Sequence, residues 1–328
     1  MSTFNRLSLP RRIVRTLAGL LLAAGCAPAL AQSMGAIGSM GSFWGDFQQA
    51  REQGRASTII DIDNDSLLLN RNDGFYSSGV RLTRQFAQPA AGAISTIYGW
   101  RIGQELYTAS DIKLPPQLVG PPDHPHAGWL YAGLFRETRN ADGSYRRFGL
   151  DLGCLGPCAG GRVTQTTLHR IIDQPKPQGW SRQVRNEAGA VLYADIAPLR
   201  WQFGRQVDLT PSVRGRFGNI HTDVAALLLL RGGQLEPVPD GSAFQTYARV
   251  RARVVGYDAT LQGGYFSNDN PHVVSPKRLV AEVELGLRWM VGRYTLSAAV
   301  VRIGNEIADL PNSIGNQNVG RLQLAITH

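Results

Sequence analysis

The segment Ala281–Met290, AEVELGLRWM, decides the fold class, because charged and apolar side chains alternate along it. Its charged residues occupy even positions, while the odd positions from 283 to 289 are all aliphatic or aromatic. A β-strand places successive side chains on opposite faces, so this segment predicts a strand with one polar face and one apolar face. Tyr247–Val255 and Arg321–Thr327 show the same alternation, which indicates an all-β chain.

Similar segments recur along the chain, separated by turns rich in Gly, Asn, Asp and Pro. We predict strands near 57–69, 77–87, 97–107, 128–137, 146–155, 191–203, 207–217, 222–231, 244–255, 257–266, 278–290, 293–303 and 319–327. Two architectures produce such alternation. In an outer-membrane barrel the charged row faces a polar lumen, whereas a soluble β-sandwich buries its apolar row.

The number and length of these segments favour the first architecture, a transmembrane antiparallel β-barrel of about twelve strands. The predicted signal peptide, described below, agrees with a location in the outer membrane. The C-terminal residues Ala325–His328 count against it, because outer-membrane barrels commonly end on an aromatic residue and this chain does not.

Residues 1–31 have the features of a cleaved signal peptide. Arginines precede an apolar run from Leu17 to Ala24, and Ala29–Ala31 offers a small-residue cleavage site. A second interpretation uses Leu22–Cys26 as a lipoprotein cleavage site. Both export the protein from the cytoplasm, so we expect it in the outer membrane of a Gram-negative bacterium.

After the signal peptide we predict two segments, a leader and a barrel. Residues 32–56 are rich in Gly, Ser and Met and predict a flexible N-terminal leader, and residues 57–328 form the predicted barrel. The formal net charge of +9 comes from dispersed arginines, which does not indicate nucleic-acid binding. Cys154 and Cys158 are compatible with a disulfide or with two free thiols, and a zinc site is not indicated.

A polar cluster ends the first predicted strand, in Thr58–Leu82, TIIDIDNDSLLLNRNDGFYSSGVRL. Asp61, Asp63 and Asp65 share one face, and a turn that includes Asp73 follows. Carboxylate, amide and hydroxyl oxygens suit a hard cation such as calcium. A strand with a polar inner face and an ordinary Asx turn explains the same pattern.

Two connections do not fit a plain barrel. Residues 108–127 are rich in proline and predict an irregular loop. Residues 156–190 are longer, and within them 162–172 predicts a helix that prolines terminate. Gln165 and His169, four residues apart, share a face of that helix. So long an insertion indicates a function, although a single histidine is more often structural.

Four blocks of the sequence resemble the calcium-dependent lipid A 3′-O-deacylases of the Gram-negative outer membrane. They are the stretch Asn64–Gly79, IGQELYTASDI at Ile102–Ile112, DHPHAGWLY at Asp123–Tyr131, and GPCAGGRVTQTTLHRIID…GW at Gly156–Trp180. Together they span roughly residues 58–200, and the later strands match only as generic barrel segments.

The resemblance implies a twelve-stranded barrel whose active site lies between the wall and a short infolded helix that carries the active-site histidine. It implies that His169 activates water and that calcium polarises an ester carbonyl of lipid A. By position, Asn64 and Asp65 correspond to the Asn-Asp pair, which we expect to be catalytic and to bind the metal. Ser77 corresponds to a catalytic hydroxyl residue that is Thr in some relatives.

The resemblance assigns further positions on a looser alignment. Lys113 matches a lysine expected to position substrate, and we assign Tyr76 and Gln165 to the same role; a surface position on the helix explains Gln165 equally well. An acidic residue found after the histidine in a relative falls near Pro175, so we expect its role to be absent or taken by Asp173. Asp-His-Pro-His-Ala at 123–127 also departs from the family's Asp-Arg-Pro-Tyr-Ala.

Ester hydrolysis suits these groups, because histidine titrates near neutrality and a cation stabilises an oxyanion. We therefore expect a carboxylic ester hydrolase acting on lipopolysaccharide, surrounded by outer-membrane lipid and monomeric. A Ser–His nucleophile is the competing mechanism. An outer-membrane phospholipase, a passive porin and a non-catalytic family member are the alternative functions. Arg249–Arg253 or the pair Arg214 and Arg216 are candidates for binding lipid A phosphates, or they simply fill the lumen.

Overall fold

The computed structural model describes residues 40–68, 74–89, 92–235 and 241–328. These residues form one antiparallel sheet of thirteen strands. The strands are β1 (Arg55–Asn64), β2 (Phe75–Ala87), β3 (Ile94–Thr108), β4 (Ala127–Asn140), β5 (Tyr145–Leu155), β6 (Glu187–Ala197), β7 (Trp201–Phe203), β8 (Val207–Gly218), β9 (His221–Gly233), β10 (Ser242–Asp258), β11 (Leu279–Val291), β12 (Tyr294–Ile303) and β13 (Gln317–Thr327).

The sheet closes into a barrel. Strands that follow each other in the chain are paired except β6 and β7, β1 pairs with β13, and β6 pairs with β8 across Val191–Ile196 and Val213–Gly218. The three-residue β7 forms only a hairpin with the start of β8. Twelve strands therefore make the wall, as the sequence predicts, and closure leaves no unpaired edge.

The alternating strands turn their charged side chains toward the lumen and their apolar side chains outward, as in a membrane barrel. On β11, Glu284 is 1% exposed while its neighbour Leu285 is 60% exposed. The same contrast separates the outward Val254 from the inward Arg253 on β10. An apolar outer wall over a polar interior is the reverse of a soluble sandwich, which settles the choice that periodicity leaves open.

Ion pairs fill the lumen. Arg321 contacts Asp63 at 2.7 Å and Glu284 at 2.5 Å, joining β1, β13 and β11. Further pairs are Arg81–Asp61, Arg101–Asp151, Arg147–Glu137, Arg214–Asp195, Arg216–Asp223, Arg231–Asp208, Arg249–Glu284, Arg251–Glu282 and Arg253–Glu306. A charge away from bulk water requires such a partner, so removing one member leaves the other poorly solvated.

The described residues also form four α-helices: α1 (Met40–Gln53), α2 (Gly161–Ile171), α3 (Ala259–Gln262) and α4 (Asn312–Gly315). The helix predicted over 162–172 is confirmed as α2. Among the described residues no helix is both long and apolar enough to span a membrane.

Three sequence predictions need correction. Residues 40–53 of the predicted flexible leader are helical, and β1 begins at Arg55. The strand predicted at 257–266 is wrong, because β10 ends at Asp258 and α3 follows; the Asp258 side chain caps α3 through the Thr260 backbone N–H. The strand predicted at 191–203 is interrupted between β6 and β7. Residues 1–31 lie outside the described residues.

The two rims of the barrel differ. Short turns such as 141–144 and 292–293 connect strands at one rim, while the connections 109–126, 156–186, 259–278 and 304–316 lie at the other. Outer-membrane barrels have short periplasmic turns and long extracellular loops, so the second rim, the long-loop rim, faces outward from the cell. The four blocks of family resemblance all reach this rim.

Candidate active site

The end of β1 and the start of β2 bring several predicted residues to the long-loop rim. Asn64 lies opposite Ser78 in the β1–β2 ladder, so Asp65 and Ser77 are at the same level of the wall. The β2–β3 register shifts between Tyr76 and Ser78, which leaves Ser77 in a bulge. Bulges often redirect side chains next to functional sites.

The bulge turns both Tyr76 and Ser77 toward polar partners. The buried Ser77 hydroxyl lies 2.6 Å from the Thr108 hydroxyl on β3. The Tyr76 hydroxyl donates a hydrogen bond to Asp63 Oδ2 at 3.2 Å. These bonds fix the positions of both side chains, and the Ser77 hydroxyl is oriented by another hydroxyl.

Helix α2 sits at the same rim and packs on β3 and β4. Its first residue, Gly161, allows this approach, because a Cβ there would lie 2.9 Å from Leu106 and 2.6 Å from Trp180. Gly160 precedes the helix in the left-handed conformation, with φ of 71°. A disulfide between Cys154 at the end of β5 and Cys158 resolves the choice that the sequence leaves open.

The buried face of α2 is polar. Gln165 is 3% exposed, and its Oε1 accepts a hydrogen bond from the Trp180 indole N–H at 2.8 Å. Trp180 in turn meets the buried His126 ring edge to face, at 5.3 Å between centroids. Gln165 is therefore not a surface residue, and it joins the helix to the segment that returns from it.

His169 lies one turn further along the same buried face and is 6% exposed. Its Nδ1 is 2.7 Å from the backbone carbonyl oxygen of Pro175. A carbonyl oxygen only accepts, so Nδ1 carries the proton and Nε2 is the basic nitrogen of the neutral ring. Pro175, which follows α2, therefore orients His169 through its backbone carbonyl.

Of the two expectations for the acidic role, its absence or its transfer to Asp173, the structure does not favour the second. The Asp173 side chain is exposed, and its backbone adopts the left-handed region with φ of 53°. That turn folds the chain back on the helix, and the Gln174 N–H donates to the His169 carbonyl at 2.8 Å. Asp173 therefore contributes to the site through conformation, because Asp tolerates this region better than most residues.

Asn64 and Asp65 form the turn that follows β1. The Asn64 side-chain oxygen accepts a hydrogen bond from the Ser66 N–H at 2.8 Å, an Asx turn, and the Asp65 carboxylate is buried. Both groups are hard oxygen donors of the kind that calcium binds.

The pair fits calcium in donor type but supplies only part of a shell of about six to eight oxygens. In the described part of the chain no group of three His, Cys, Asp or Glu residues lies close enough to hold a metal ion. Backbone, hydroxyl or water oxygens would complete the shell. Asp73, from the polar cluster, lies outside the described residues.

Lys113 is exposed in the loop 109–126, where its backbone N–H donates to Asp111 Oδ1 at 2.9 Å. This loop is tied to the segment after α2, because the Gln178 N–H donates to the Ile112 carbonyl at 2.9 Å. The loop therefore brings Lys113 to the α2 side of the rim, and its role in positioning substrate stays a prediction.

Sequence reasoning missed some partners. Thr108 lies within the quoted block Ile102–Ile112, but only the strand register and the contact itself show that it meets Ser77. The Pro175 carbonyl leaves no sequence signal at all. His124 was noted only as a departure from the family pattern. It stacks on Tyr107 at 5.5 Å and hydrogen-bonds through Nδ1 to the Pro125 carbonyl, and burial lowers its pKa.

A closed twelve-stranded barrel with an apolar wall, an ion-paired lumen and long loops on one rim defines an outer-membrane β-barrel protein. The chain belongs to the family of outer membrane protein LpxR, which matches residues 17–328. No curated protein matches it in a comparison of sequences.

Among solved structures, LpxR from Salmonella typhimurium is similar, with a TM-score of 0.67 and 20% identity over 82% of this chain and 99% of that one. At this identity the likeness shows the fold. The β domain of the Bordetella autotransporter Brka is more distant, with a TM-score of 0.42 and 14% identity over 83% of this chain and 98% of that one.

Proposed function

We propose that this protein is a lipid A deacylase, a carboxylic ester hydrolase that removes the 3′-O-linked acyl or acyloxyacyl group of lipopolysaccharide. Membership of the LpxR family and the twelve-stranded fold support it. The observation that carries the proposal is His169, buried on the inner face of α2, where the bond from Nδ1 to the Pro175 carbonyl fixes the ring and makes Nε2 its basic nitrogen.

In this proposal His169 Nε2 accepts a proton from water as that water attacks the ester carbonyl. The bond from Nδ1 to the Pro175 carbonyl fixes the ring and its tautomer and stabilises the imidazolium that forms. As the tetrahedral intermediate collapses and the ester C–O bond breaks, the same proton is delivered to the departing sugar oxygen, which leaves as a hydroxyl, and the acyl group leaves as a carboxylic acid. The hydroxyl pair of Ser77 and Thr108 positions the ester or the water at the neighbouring strands.

Calcium is the cofactor that the family resemblance implies, and Asp65 with Asn64 would hold it. When bound, it supplies positive charge at the ester oxygen on which negative charge develops. The Asx turn at Asn64 holds the backbone next to the buried Asp65 carboxylate, so local hydrogen bonding supports the position from which this carboxylate would bind the ion.

Direct attack by water is favoured over a Ser–His nucleophile. The described partners of the Ser77 hydroxyl are the Thr108 hydroxyl at 2.6 Å and the Phe75 carbonyl at 3.4 Å. A nucleophilic serine requires its base within hydrogen-bond reach. Ser77 therefore suits a positioning role.

The test is mass spectrometry of lipid A from cells that express the protein, in the presence and absence of calcium. We expect loss of one 3′-linked acyl group, and we expect His169→Ala and Asp65→Asn to abolish it. Arg205→Gln, an exposed change in the β7–β8 turn at the opposite rim, is the matched control and should retain full activity.

Unchanged lipid A from a correctly assembled barrel would refute the deacylase proposal. Phospholipid hydrolysis that depends on His169 would instead support the phospholipase alternative. Acyl loss that survives His169→Ala would show that another group provides the base.

A further inference from the structure

Helix α2 has an amphipathic arrangement opposite to that of a helix in water. Its buried face carries Gln165 and His169, whereas Val163 is 70% exposed and Ile171 is 74% exposed. Val163 and Ile171 are eight residues apart and share the outer face. A surface helix normally turns its apolar stripe inward, so the outer face of α2 fits an apolar partner.

The same helix carries unpaired cations. Arg162 and Arg170 are exposed, and no hydrogen bond or ion pair within the described chain engages either guanidinium. Lys176, five residues after the last residue of the helix, is exposed as well. No carboxylate of the described residues neutralises these groups, so they attract anions from outside the protein.

The lumen arginines differ in this respect. Arg214, Arg216, Arg249, Arg251 and Arg253, the sequence candidates for phosphate binding, each contact a lumen carboxylate. A phosphate would have to displace that carboxylate and leave it buried without a counter-charge, which is costly. These arginines therefore stabilise the barrel and do not bind the lipid headgroup.

We propose that the outer face of α2 docks the phosphorylated, acylated headgroup region of the lipid A substrate, with Arg162 and Arg170 each binding a phosphate. This inference rests on the proposed function. Val163 and Ile171 contact the acyl chains, in the manner of a basic amphipathic helix at a membrane interface. The docked lipid then lies against the helix whose inner face carries His169.

The spacing of the cations makes the proposal specific. Eight residues of α-helix rise about 12 Å, which suits two separated phosphates, one at each of Arg162 and Arg170, better than a single phosphate shared by both. A lipid with two separated phosphates engages both residues, whereas a monophosphorylated lipid engages one. An arginine near an anionic lipid surface contributes about fivefold in affinity, so the double loss should weaken binding about 25-fold.

The test uses the full-length protein with His169→Ala, which prevents turnover, in detergent micelles, and measures its affinity for bisphosphorylated, monophosphorylated or dephosphorylated lipid A. Arg162→Gln with Arg170→Gln should weaken binding of the bisphosphorylated lipid most and leave binding of the dephosphorylated lipid unchanged. Val163→Ser with Ile171→Ser should weaken binding of all three lipids. Arg205→Gln is the control for loss of an exposed arginine.

In the protein with His169 intact, the double arginine variant should raise KM and leave kcat within about twofold. Equal weakening for all lipids would overturn phosphate recognition, and unchanged affinity for the bisphosphorylated lipid would overturn the docking face. Because the binding measurement requires no hydrolysis, failure of the deacylase proposal itself would appear separately, as intact lipid A.

Discussion

Replacing Gln165 with Met tests how α2 is held in place. Gln165 Oε1 accepts the Trp180 indole N–H at 2.8 Å, and the two side chains are 3% and 2% exposed. Methionine has a similar volume but only a weakly accepting sulfur, so it replaces a strong hydrogen bond by a weak contact at most, without opening a large cavity. A buried donor left without a partner costs about 1–3 kcal/mol.

The lost bond weakens the contact between α2 and the segment 179–182. The population of the locally open state, in which α2 is detached from this segment, should therefore rise about 5- to 150-fold. Amide hydrogen exchange of α2 in detergent measures it directly. Thr164→Met, an exposed change on the same helix, is the control. Exchange in Gln165→Met equal to that of the unmodified protein would refute the claim that this bond anchors the helix.

Three other outcomes are expected. Asp173→Val should lower kcat by about 5- to 30-fold, because a β-branched residue at φ of 53° costs about 1–2 kcal/mol and releases His169, whereas Asp173→Asn should keep activity in the lipid A assay. Burial lowers the pKa of His124 in the folded protein, so the unfolded chain binds this proton more tightly. The free energy of unfolding should therefore fall as the pH drops below about 6.5. Denaturant unfolding at pH 7.5 and 5.5, with His124→Phe as the comparison, measures this effect. Replacing both Cys154 and Cys158 with Ser should lower that free energy by about 2 kcal/mol, as expected for so short a loop, in the same unfolding measurement.

Much of the architecture follows from local patterning. Alternation such as that of Ala281–Met290 fixes which residues share a face, because successive side chains of a strand point to opposite sides. The four-residue spacing of Gln165 and His169 likewise places them on one face of α2. These features depend on backbone geometry within one element, so the sequence alone predicts them.

The failures also have local causes. Residues 257–266 read as a strand because Tyr257, Tyr265 and Phe266 favour strands, yet Asp258 caps a helical turn instead. The leader at 32–56 contains glycines and serines, and composition gave no periodicity strong enough to indicate the helix over 40–53.

The site itself depended on tertiary structure. Barrel closure decides that the charged rows face inward. Strand register decides which arginine meets which carboxylate, and it places the Ser77 bulge against Thr108. The Pro175 carbonyl reaches His169 only because the chain reverses at Asp173. Sequence determines the periodicity of each element, since steric preferences act between near neighbours. The partners across strands and loops are decided by the folded barrel, because those contacts join residues far apart in the chain and a backbone atom carries no side-chain signature.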